Sequence, residues 1–214
     1  MIQKLLSAVH KYYPIGCPEI HQHYEGIAEI KKIVSRKISE CENNPASNFK
    51  ILLKSLQNTI KNYVINDFSY LLFPSYFILI EIEDKTFNGI KLTSTISVYI
   101  SLLINGYTVY ISDKYSFNDL DDVKNKSGLN YELIYFNDCK NPQSIALTKL
   151  ICDQIEKNFA NYEFIDHYTL FKNYVKSGRT LYDLNRDAGD VPYCYYDYLF
   201  SIDKVLDTHY EILF

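Results

Sequence analysis

Glycine and proline are scarce in this chain, with 7 and 6 among 214 residues. With so few breakers, no low-complexity tract and no repeat, nothing marks a linker or a disordered arm, and a single domain over residues 1–214 is expected. Basic charge is not in excess either: 22 Lys and Arg stand against 26 Asp and Glu, a formal net charge of −4. A nucleic-acid binder normally carries a clustered basic face, so nucleic acid is not expected as a partner. No apolar run approaches the roughly 18 residues that span a bilayer. The first residues place Lys4 among their apolar positions and offer no small-residue cleavage site, so neither a membrane partner nor export is expected.

Closely spaced cysteines are missing as well. Cys17, Cys41, Cys139, Cys152 and Cys194 are odd in number, widely spaced and without a CxxC. Such usage fits reduced, non-catalytic thiols in the cytoplasm better than a disulfide framework. Cys17, His21 and His23 come nearest to a metal site, but no further Cys or His follows until Cys41, which is poor spacing for a closed tetrahedral zinc centre. His10, His167 and His209 stand alone in sequence, with no nucleophile paired to them. The phosphate loops GxGxxG and GxxxxGKS/T are absent, with Gly89 and Gly106 standing singly. Asp119, Asp121 and Asp122 lack the Gly and the terminal Glu of a calcium loop. No metal, no cofactor and no catalytic residue is therefore assigned. Glu81, Glu83 and Asp84 set two carboxylates two residues apart on one strand face, a spacing open to acid–base work. A solvated, charge-blunted sheet edge explains them more simply.

What the chain has in quantity is tyrosine, 21 residues, whose apolar ring and polar tip suit half-buried sheet faces and partner surfaces alike. It also has one sustained β pattern, Tyr76–Asp113. Tyr76, Ile78, Ile80 and Ile82 alternate with Phe77, Leu79, Glu81 and Glu83, the period of a strand buried on one face. Ile96–Ile104 alternates likewise, and Asn105-Gly106 then offers the positive φ values of a type I′ hairpin turn before Tyr107–Ser112. The spacing predicts three antiparallel strands. The same residues admit a helix over Thr93–Ile104 leading to a parallel strand, the rhythm of a Rossmann-like sheet and so of a hydrolase or nucleotide-utilising enzyme. Seven of those twelve positions are β-branched or aromatic and none is Ala, Glu, Lys or Gln, which favours the hairpin.

Helical spacing predicts helices over residues 1–12, Gly26–Cys41, Asn48–Asn66 and from Pro142 to Ala160, with a shorter one over Tyr168–Val175. Tyr131–Phe136 reads as a fourth strand, and the alternation in VPYCYYDYLFSID reads as a fifth. The expected fold is α+β: a central antiparallel sheet of four or five strands with N-terminal and C-terminal helices. Residues 1–70 form the helical part, 76–138 the sheet, and 141–214 helices with an added edge strand. Ile78, Ile80, Val98, Ile100, Val109 and Leu133 are the expected core. Lys114–Gly128 reads as a polar excursion, and loops held by a rigid sheet are where binding residues tend to lie. It offers Tyr115 and Phe117 as anchors beside Asp119, Asp121 and Asp122, the candidate partner-binding residues.

The order of features carries a resemblance. A short helix before YYPIG (Tyr12–Gly16), Tyr24-Glu25 ahead of EIKKIV, the block ISVYISLLINGYTVYIS (Ile96–Ser112) and the closing YYDYLFSID (Tyr195–Asp203) resemble small bacterial immunity proteins. These are encoded beside polymorphic or contact-dependent toxins. The resemblance spans most of the chain through structural strings and not catalytic signatures. It implies a cytoplasmic, non-enzymatic protein that binds a cognate toxin domain, basic in many such systems, and occludes its active site. The net charge of −4 agrees with a basic partner.

Overall fold

The computed structural model describes residues 1–16, 24–69, 73–117, 130–135, 142–180, 192–201 and 209–213. Cys17, His21, His23, Asp119, Asp121, Asp122 and Cys139 lie outside the described residues. The apolar stripes of the first part of the chain produce α1 (Ile2–Tyr12), α2 (Glu25–Asn43) and α3 (Asn48–Thr59). The Ser47 hydroxyl caps α3 by accepting from the Lys50 amide. α3 stops short of the expected Asn66, because Val64–Asp67 is instead strand β1, paired along Ile78–Glu81 of β2 (Ser75–Phe87). Next come β3 (Ile90–Ser101), β4 (Gly106–Phe117), β5 (Asn130–Tyr135) and α4 (Pro142–Asn158). The remainder supplies β6 (Glu163–Phe164), α5 (His167–Lys172), β7 (Tyr174–Val175), β8 (Tyr193–Cys194), α6 (Tyr195–Leu199) and β9 (His209–Leu213).

The architecture is α+β. Among the described residues seven strands form one sheet in the order β1-β2-β3-β4-β5-β9, with β6 beside β4 as well. β1 to β5 are mutually antiparallel, while β6 and β9 join in parallel. The extra strands beyond four or five are β1, β6 and β9, too short to show a period-2 pattern. β3 pairs with β4 antiparallel from Ile90↔Phe117 to Ile100↔Tyr107. That register removes the helical alternative for Thr93–Ile104.

Both faces of the sheet are buried, each for a reason written into alternate residues. Ile78, Ile80, Ile96, Val98, Ile100, Val109 and Ile111 pack one face against α3 and α4. Phe77, Tyr99 and Tyr110 carry the other, packed with α1, α2, α5 and α6. On that second face the Phe77 and Tyr99 rings stack with centroids 4.2 Å apart, and Tyr196 meets Tyr99 edge-on at 5.3 Å. Here the abundant tyrosine is core material. Leu133, expected in the core, is only half-buried; its neighbour Ile134 is the buried residue and packs into the tyrosine-rich core. β5 thus presents the opposite parity to the one its sequence suggested.

Two turns are exchanged relative to expectation. The positive-φ pair is Asn88 (φ 48) and Gly89 (φ 77), which closes the β2–β3 hairpin. Asn105-Gly106 makes no such pair: Gly106 already belongs to β4, opposite Glu163. A Cβ there would lie 2.5 Å from Ile165 Cδ1, so glycine serves the close approach of β6.

The tail is the largest departure. Alternation predicted a strand in VPYCYYDYLFSID, yet among its described residues only Tyr193-Cys194 is a strand, pairing with Tyr174-Val175 where the expected helix Tyr168–Val175 has already ended. Tyr195–Leu199 turns into α6, because its backbone finds partners in side chains. Asp197 Oδ2 accepts from the Cys194 amide at 2.7 Å. The carbonyls of Tyr198, Leu199 and Phe200 accept from Tyr13 Oη, Ser101 Oγ and Ser75 Oγ at 2.5, 2.8 and 2.7 Å. Three orphan carbonyls at a buried helix end are satisfied by hydroxyls from Tyr13, just past α1, and from the cross-strand pair Ser75↔Ser101.

His167, fully buried, has its ring centroid 5.8 Å from that of Tyr110. Burial pushes its pKa down from 6.5, and the Asp166 carboxylate works against that shift. Below the unfolded value the unfolded chain binds a proton that the folded chain resists, so stability is lost as pH falls from about 6.5 toward the folded value. Urea titrations are expected to show lower stability at pH 5 than at pH 7, with the difference reduced in His167→Phe. An unreduced difference would assign the acid sensitivity to other groups.

Candidate functional site

The site starts from an irregularity in β2. Glu81 pairs with Thr95 but Glu83 pairs with Ser94, so one extra residue is accommodated between them. Such a bulge re-aims side chains. Glu81 stays on the tyrosine-core side, where Asn66 Nδ2 donates to it at 2.9 Å, whereas Ile82 and Glu83 both come to the α3/α4 side. The two carboxylates expected on one face are therefore on opposite faces. Glu83 Oε1 lies 2.5 Å from Lys85 Nζ, and Asp84 pairs with Lys91 at 3.1 Å, ion pairs that leave this sheet margin solvated and charge-blunted.

Ile82 and Glu83 open into a cavity of about 180 Å³. Ser94 and Ile111 form its floor on β3 and β4; Tyr63, in the turn between α3 and β1, and Gln143 and Ser144, at the start of α4, close it. Gln143 Nε2 donates to Tyr63 Oη at 2.8 Å, joining the start of α4 to the turn before β1. Behind Ser94 sits Asp113, only 4% exposed. Its carboxylate accepts from Ser94 Oγ at 2.5 Å and from Tyr135 Oη at 2.8 Å. Burial pushes the Tyr135 phenol up, and the adjacent Asp113 adds to the shift, so Tyr135 remains a protonated donor. Ser94 spends its one hydroxyl proton on the Asp113 carboxylate, which leaves its oxygen an acceptor toward the cavity.

Past this cavity the three long strands continue as an arm. Leu92, Tyr115 and Tyr131 face one another across β3, β4 and β5, and Phe87 stands opposite Ile90 at the tip. None of these residues belongs to either core, and Phe87 is 46% exposed. β1 covers β2 only along Ile78–Glu81, so Glu83–Phe87 forms an outer edge among the described residues.

Of the residues singled out in the sequence, Tyr115 and Phe117 lie on β4 itself and not in a loop; Tyr115 is half-buried within the arm and Phe117 ends the strand. The structure does not bring Asp119, Asp121 or Asp122 to them, since these lie outside the described residues. Ser94, Asp113, Tyr135 and Tyr63 were missed as a group. Their only advance signal was a buried-parity Ser and Asp on neighbouring strands, which has meaning only once the register is known.

Cys41, Cys152 and Cys194 are free thiols. Burial pushes Cys152 up to about 11 and Cys194 well above its ordinary value, the nearby Asp197 adding to the latter. At pH 8 on the order of a thousandth of Cys152 is thiolate. Native alkylation is expected to leave both unmodified over times that label the denatured chain fully; rapid native labelling of either would contradict this. Among the described residues no group of His, Cys, Asp and Glu is placed to hold a metal ion, and no helix is long and apolar enough to cross a membrane. Comparison with protein-family models, curated proteins and solved structures returns no match, so the functional reading stands on sequence and geometry.

Proposed function

We propose that this chain is a non-enzymatic immunity protein that binds a cognate toxin domain in the cytoplasm and occludes its active site. The observation that carries the binding role is the arm: Phe87, Ile90, Leu92, Tyr115 and Tyr131 lie outside both cores on strands held rigid by those cores. Aromatic residues on a rigid element make interface anchors at low entropic cost. The toxin as partner comes from the sequence resemblance, and the net charge of −4 supports a basic one through electrostatic steering.

Co-expression with the toxin encoded beside its gene tests the proposal. Cells carrying both are expected to grow where the toxin alone arrests them, and the purified proteins to form a complex that blocks the toxin's activity. Arrest despite soluble expression of this chain, with no complex formed, would end the proposal. The alternative of a Rossmann-like enzyme has lost its basis with the antiparallel pairing of β3 and β4.

A further inference from the structure

Granting the protein-binding function proposed above, we infer that the cavity at the β2 bulge receives the basic side chain, arginine or lysine, of a residue on the partner. At about 180 Å³ the cavity is smaller than the roughly 300–1,000 Å³ of sites for cofactors and drug-sized ligands, and its size suits one side chain. It adjoins the arm through neighbouring strand positions: Ser94 precedes the core rows of β3 and Leu92 begins the arm.

The lining sets the charge of the occupant. Ser94 has one hydroxyl proton and places it on Asp113, so toward the cavity its oxygen offers lone pairs only. Gln143 spends one amide proton on Tyr63 and keeps a carbonyl acceptor, while its second amide proton and the Tyr63 hydroxyl proton remain donors, so the sign of the site is set by the full charge in it. The bulge adds the Glu83 carboxylate to the same lining. Ile82 and Ile111 supply apolar walls, which match the methylene stem that Lys and Arg carry behind their charge. An apolar side chain would strip water from these acceptors and give them no donor. The first turn of α4 and the remaining donor protons of Tyr63 and Gln143 favour an anion, and the Glu83 carboxylate, the one full charge in the lining, opposes it.

In the free chain the Glu83 carboxylate is engaged by Lys85, whose side chain is 62% exposed. An exposed pair of this kind is weak, so a cation arriving with its stem between Ile82 and Ile111 displaces Lys85. Lys85 is then an internal competitor, and removing it helps the partner.

Amide-resolved NMR titration of the full chain with N-acetyl-arginine amide, N-acetyl-norleucine amide and inorganic phosphate tests this. The arginine amide is expected to shift the signals of Tyr63, Glu83, Ser94 and Gln143 saturably, and the other two probes are not. Glu83→Gln should weaken arginine-amide binding about tenfold, the loss of one charge-assisted contact, and Lys85→Met should tighten it. The inference is overturned if norleucine amide or phosphate matches the arginine amide, if the arginine amide shifts none of these signals, or if both folded variants bind it as the parent does. No partner protein enters this titration, so its outcome is separate from the growth assay. Protection lost with arginine binding retained would remove the toxin alone; protection retained without arginine binding would remove the cavity's role alone.

Discussion

Truncating Ile100 to alanine is expected to cost about 2–5 kcal/mol of folding stability. Ile100 is fully buried at the middle of the sheet, between Tyr76 of β2 and Tyr107 of β4, and packs into the core shared with α3 and α4. Its neighbours are held from both strands: Tyr76 Oη donates to the Lys37 carbonyl at 3.1 Å, and Tyr107 Oη donates to Glu156 at 2.9 Å. Anchored rings cannot collapse into the space left, so the full cavity cost applies in addition to the lost transfer energy. The urea midpoint should fall with the slope unchanged, as for a loss of stability without a change in the unfolded ensemble. A loss below about 1 kcal/mol would mean that this face is not the core.

Tyr115→Ala is expected to leave the fold nearly as stable, losing only the roughly 0.2–1 kcal/mol of a cross-strand pair with Leu92 and Tyr131. Binding to the partner should instead fall by about 2 kcal/mol or more, close to thirtyfold, if Tyr115 is an anchor of the arm. The change should appear as faster dissociation, because anchors hold the complex and contribute little to encounter. Equal dissociation rates for variant and parent would move the interface off this row. Charges at the margin, Asp84 and Lys91, should act the other way, through association and its salt dependence.

The fold class was legible because the long elements repeat their periods many times. Ile78, Ile80, Val98, Ile100 and Val109 are all buried as their alternation requires. Where the reading failed, a tertiary partner outweighed the local pattern. Asn105-Gly106 has the composition of a hairpin turn, but β6 packs against Gly106 and the turn geometry falls to Asn88-Gly89. The tyrosine tail alternates like a strand, yet hydroxyls of Tyr13, Ser75 and Ser101 take its carbonyls and hold it as a helix.

The candidate site was less legible for a related reason. Its cavity is assembled from the turn before β1 and from β2, β3, β4 and α4, and a single inserted residue in β2 decides that Glu83, and not Glu81, enters it. No spacing within one element encodes that. Tyr115 was a candidate anchor from composition, expected in a loop, but the strand runs on through Lys114–Phe117 where polarity suggested that loop.

Hydrogen exchange of the chain, free and in complex with the proposed toxin partner, measures the central claim most directly. The amides of Glu83–Phe87 lie on the outer edge of β2, and those of the arm rows of β3 and β4 lie next to them. Slowed exchange along Glu83–Leu92 and Lys114–Phe117, with the α1 and α2 surfaces unchanged, is the result expected. Protection confined to α1, α2 or α5, or no stable complex at all, would contradict it.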